Sequence, residues 1–145
     1  MAFITRFKAF FFFVVYMRAE RLELIASEIL EPASRLSEIP QPCRLRKGSL
    51  VRFDNLSDRY KVLNGTEVLI LGCSPKYIIG VAIEGQEPDR IKNIVFELGT
   101  IDELTKSGFI TLKGETGVKD YLMSRFGLSE MEFIEAEFRS KRMYN

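Results

Sequence analysis

Side chains able to do chemistry are few and scattered in this chain. Its 145 residues include no His and only two Cys. Without imidazole, Ser-His and Cys-His catalysis are lost, together with the commonest general base and metal ligand. Cys43 and Cys73 have no third thiol beside them, too few for a thiolate metal site or a disulfide framework. Cys73 closes the apolar run Val68–Cys73 and reads as a small buried hydrophobe, with a bridge to Cys43 left open. The acid pairs Asp54/Asp58 and Asp102/Glu103 sit in no hydrolase or cation-binding context. No GxGxxG or GxxxxGK[ST] loop is present to cradle a phosphate. These residues predict no catalytic group, no metal ligand, no cofactor and no small-molecule substrate.

Charge narrows the binding classes. Lys and Arg number 21 against 20 Asp and Glu, and a net +1 exerts no global pull on nucleic acid or an anionic membrane. Locally the balance differs: residues 32–65 carry a net +4, and residues 66–115 a net −3. Arg44, Arg46, Lys47, Arg52, Arg59 and Lys61 lie near Phe53 and Tyr60 in the basic part. Cations interleaved with aromatic rings suit a phosphate backbone and a stacked base, so these eight residues are the nucleic-acid candidates.

The amino terminus has a different character. Arg6 and Lys8 precede the apolar run Ala9–Met17, a layout that imitates a secretory signal. Arg18, Glu20, Arg21 and Glu23 then stand where small residues and a cleavage site belong. The run is also too short to span a bilayer, which takes about 20 apolar residues. A retained helix from about Ile4 to Leu30 is expected, with apolar residues at three- and four-residue steps. Phe7, Phe10, Phe11 and Val14 are its candidate partner-docking residues, since so much Phe must be buried against something. A membrane surface held by residues 3–17 is a weaker alternative, because Glu20, Glu23, Glu28 and Glu31 oppose an anionic lipid.

The elements that position these residues follow from punctuation and periodicity. Four segments are expected: an apolar to amphipathic helix over 1–31, a Pro-rich linker over 32–43, a small β-barrel over 44–115 and a helical hairpin over 116–145. Within the barrel, strands are read at Leu50–Phe53, Glu67–Cys73, Tyr77–Ile83, Ile91–Leu98 and Phe109–Leu112, with one helical turn at Ile101–Leu104. Gly72, Gly80 and Gly85 are assigned to barrel curvature. A long loop after the first strand and a helical turn before the last resemble SH3-type barrels in layout; an OB-like barrel is the alternative.

Val118–Phe126 and a second helix ending near Arg142 flank Gly127 and the capping box Ser129–Glu132. The pair looks like a helix-turn-helix. However, Glu130, Glu132, Glu135 and Glu137 on the second helix would repel phosphates, so a hairpin packed on the barrel is expected. The fold class is therefore α+β. The expected function is a non-enzymatic, cytoplasmic binding module or accessory subunit. It would dock a protein partner or a second copy through the Phe-rich helix and meet another partner through the barrel. A nucleic-acid-binding regulator and a peripheral membrane protein are the alternatives.

Overall fold

The computed structural model describes residues 19–40, 45–57, 61, 63–83 and 91–142. Two apolar cores form on opposite faces of one antiparallel sheet. Its strands are β1 (Ser49–Phe53), β2 (Glu67–Cys73), β3 (Tyr77–Ile83), β4 (Ile91–Glu97) and β5 (Ile110–Glu115), in the order β4-β3-β2-β1-β5. The helices are α1 (residues 19–35), α2 (Leu98–Lys106), α3 (Val118–Phe126) and α4 (Glu130–Arg142).

Residue parity explains the two cores. On β2, Leu69 and Leu71 face a helical layer, packing with Val81 and Ile83 of β3 against Leu22, Ile25, Leu122 and Phe133. Val68 and Ile70 face the other way, toward Val51, Phe53, Ile78 and Phe96. Alternation alone would put Cys73 on the helical side. A register shift between Ile70 and Gly72 adds one residue to β2, and Cys73 returns to the inner core. There its Sγ donates to Glu38 O at 2.9 Å.

The sheet is open: of the closed or half-closed barrel expected from strand count, the closed form is not found. Among the described residues no ladder joins β4 to β5. Instead α2 lies against β3, β4 and β5 and drives Ile101, fully buried, into the inner core. Expected as a single turn, α2 is a nine-residue helix because Leu98, Ile101 and Leu104 share one face and close the gap with side chains rather than backbone pairing.

Pro32 does not end the first helix as expected, and the helix runs on to Arg35. Proline has no N–H, and its ring collides with the carbonyl four residues back in a regular α-turn. Just before it, Ala26–Leu30 is wound as π-helix, and Glu31 N–H reaches Ala26 O. This widened turn carries the chain past the proline. The expected linker then joins the body: Ser37 and Cys73 exchange both backbone hydrogen bonds, at 3.0 and 3.2 Å, and Ile39 is buried.

Gly72 permits that junction. Its φ is +149°, and a Cβ there would sit 2.7 Å from Leu36 Cβ and 2.8 Å from Ser37 O. Gly65 also has a positive φ, +77°, but open space around it. Gly72→Ala should therefore lower stability by about 3 kcal/mol through overpacking plus backbone strain, against about 1 kcal/mol for Gly65→Ala. Urea unfolding followed by circular dichroism checks this; equal losses in the two variants would mean that the close approach at Gly72 is not what matters.

Candidate docking surface

Two local signals set α4 in place. At its start, Ser129 Oγ accepts from Glu132 N–H at 3.1 Å and Glu132 Oε1 accepts from Ser129 N–H at 3.2 Å, a reciprocal capping box. Just before it, Gly127 is left-handed at φ 63° and ends α3, with Leu128 N–H donating to Met123 O at 3.0 Å. Acids occupy the first turn of α4 and Arg139, Lys141 and Arg142 the last, matching the helix dipole.

Cations tie the helical layer together. Arg139 binds Glu23 and Glu135, both at 2.9 Å, and reaches Ala19 O of α1 at 3.5 Å. Its pKa is raised by the hydrogen bond to Glu135 and then by that to Glu23, so the guanidinium stays charged. Arg21 donates to Phe126 O at the end of α3 and lies over the Phe126 ring. Arg125 donates to Ile83 O at the end of β3, 2.9 Å away. The Tyr121 hydroxyl is held above its ordinary value near 10 chiefly by burial, a rise moderated by Arg125 and increased by Glu67.

With these contacts made, α4 has two apolar faces. Phe133, Ala136 and Ser140 turn inward, and the Ser140 hydroxyl is satisfied by Glu137 O at 2.6 Å. On the opposite side Met131, Ile134 and Phe138 stand 76, 54 and 60% exposed. Their three- and four-residue spacing makes one continuous stripe. Glu130, Glu135 and Glu137 flank it, and Arg142 lies over the Phe138 ring at 5.4 Å. Elsewhere Val95 and Leu112 are exposed on the edge strands β4 and β5.

A cleft of about 350 Å³ opens between α1, α3 and α4. Leu30, Ala33 and Phe133 line it, and Lys47, Lys119 and Lys141 reach its rim. Lys119 is already committed to Glu130 at 3.2 Å and to the Phe133 ring.

The basic candidates are dispersed rather than gathered. Lys47 Nζ donates to Ala33 O and Leu36 O, capping the end of α1. Arg52 pairs with Asp54 at 3.3 Å. Phe53 is fully buried, its ring stacked on Phe96 at 5.2 Å, and offers no face to a base. Arg46 and Lys61 are exposed. Arg44, Arg59 and Tyr60 lie outside the described residues, as do Phe7, Phe10, Phe11 and Val14. The α4 stripe was missed as a site, although Met131, Ile134 and Phe138 at helical spacing signalled it; only packing shows that they face away from the core.

Comparison with protein-family models, curated proteins and solved structures returned no match. Among the described residues no cluster of His, Cys, Asp and Glu is arranged to hold a metal ion, and no helix is long and apolar enough to cross a membrane.

Two outcomes follow. Ser129→Ala should cost about 1 kcal/mol by freeing the cap of α4, read as a lower urea midpoint at unchanged slope. For Tyr121, the neutral phenol is the form favoured on folding, so its contribution is complete below pH about 10 and is lost as the pH rises through the higher folded value. Tyr121→Phe should flatten that alkaline fall in melting temperature; an unchanged slope would place the pH sensitivity elsewhere.

Proposed function

We propose that this chain is a non-enzymatic protein-binding module or accessory subunit that docks through exposed apolar side chains. The carrying observation is the stripe Met131, Ile134 and Phe138 on the outer face of a helix whose inner face is already packed. Large apolar side chains grouped this way mark contact surfaces on soluble folds. Helix-in-groove recognition uses the same i, i+3, i+7 anchors. In this reading the Phe-rich residues 1–17 supply a second apolar contact. The β-sheet unit is a half-open SH3-like barrel, supported by the order β4-β3-β2-β1-β5, the long β1–β2 connection and α2 before β5.

The engagement of Lys47 and Arg52 within the chain and the burial of Phe53 support a protein rather than a nucleic-acid partner. The test is pull-down with the full chain from extracts of its source cells, comparing wild type, Ile134→Glu and the double variant Arg46→Glu/Lys61→Glu. A specific partner lost only with Ile134→Glu supports the reading. Nuclease-sensitive capture lost only with the double charge reversal would overturn it in favour of nucleic acid.

A further inference from the structure

Asn64 and Gly65 lie in the connection between β1 and β2, where their contacts bear on a reaction that Asn-Gly pairs undergo without a catalyst. We propose that this pair is a modification site gated by the fold. The Asn64 side-chain amide survives while the loop is closed and is lost as ammonia when the loop opens. Once it is lost, the loop no longer closes as before.

The sequence holds a single Asn-Gly pair. In the reaction the Gly65 backbone nitrogen gives its proton to solvent and bonds to Asn64 Cγ. The bond from Cγ to Nδ2 breaks, and that nitrogen leaves as ammonia with a proton from water. A cyclic imide results. Water then opens it on one side of the ring nitrogen to give aspartate, or on the other to give isoaspartate. Each conversion consumes one water and releases one ammonia, with no oxidant or reductant. Glycine favours the attack because it has no Cβ to hinder the approach of its nitrogen.

The closed loop withholds both reacting groups. Gly65 N–H donates to Phe53 O at 2.7 Å, so the attacking nitrogen is held on β1. Asn64 Oδ1 accepts from Leu56 N–H at 2.6 Å, and Nδ2 donates to Leu56 O at 2.9 Å. The carbon to be attacked is thereby held on Leu56, which is itself buried in the inner core with Phe53. Asn64 N–H on Lys61 O and Thr66 N–H on Leu63 O fix the turn on either side. Asn64 and Gly65 are both exposed, so water reaches them freely. Hydrogen bonds rather than burial protect the pair, and the reaction waits on local opening.

Conversion is one-way for the loop. Aspartate at position 64 has no N–H for Leu56 O and sets a carboxylate oxygen against that carbonyl where a donor stood. Isoaspartate routes the main chain through Cβ and Cγ. That lengthens the backbone by a methylene and moves the N–H that Phe53 O accepts.

The gate is tested by incubating the full chain at one pH and temperature, folded in buffer and unfolded in guanidinium chloride. Peptide mapping by mass spectrometry follows the conversion of Asn64. The folded chain should convert at least about tenfold more slowly, since several hydrogen bonds must open first. Equal rates overturn the proposal. The one-way step is tested by amide hydrogen exchange on Asn64→Asp, a substitution at an exposed position that should leave the fold intact. The Leu56 and Gly65 amides should exchange at least about tenfold faster than in the wild type, because the loop then opens more readily. Wild-type exchange at both amides equally overturns the proposal, because the loop would then close on a carboxylate as well as on an amide.

Discussion

Burial of β2 on both faces is the constraint around which this fold is organised. A strand apolar on alternate residues needs one cover, but a strand apolar at every residue needs two. Val68, Leu69, Ile70 and Leu71 are all fully buried. The inner cover comes from curvature of the sheet, closed at its open side by α2, and the outer cover from α1, α3 and α4. Removing either cover would expose half of these side chains, so the hairpin, the first helix and the sheet are parts of one packed body. The bulge at Leu71–Gly72 belongs to the same constraint. It lets β2 keep both cores supplied and still deliver Cys73 inward, where the segment after α1 is pinned.

Long cationic side chains then join the layers by reaching carbonyl oxygens at element ends. Lys47 reaches the end of α1, Arg21 the end of α3, and Arg125 the end of β3. Each end carries unpaired carbonyls and partial negative charge, which a guanidinium or ammonium satisfies from another element. This explains how residues that look like a basic surface in sequence become internal fasteners. Lys47 sits in a strongly basic stretch, yet its ammonium is engaged within the chain, whereas Arg52 makes a half-exposed pair with Asp54.

The helical layer leaves one unbalanced account, the outer face of α4. Its inner residues Phe133 and Ala136 join the core, while Met131, Ile134 and Phe138 stand largely outside it. That exposed stripe, flanked by Glu130, Glu135 and Glu137, is the surface on which the proposed docking role rests.

Local signals were fully legible in the sequence. Val118–Phe126, the left-handed Gly127 and the Ser129–Glu132 capping box depend on neighbours within five residues, and all stand as expected. The runs Glu67–Cys73 and Tyr77–Ile83 were equally plain, because fully buried strands need unbroken apolar sequence. Where distant residues decide, the sequence was silent. Pro32 is carried through the helix by a π-turn that pays off only because Ile29 and Ala33 are held in the core. Whether the sheet closed depended on α2 packing between β4 and β5, and whether Phe53 met a ligand or Phe96 depended on which way β1 was turned. Composition, periodicity and capping thus determined the α+β class, the strands and the hairpin, since these are properties of short stretches of chain. Only the tertiary structure decided which apolar and charged side chains are used up inside and which are left outside, because burial is set by neighbours far away in sequence.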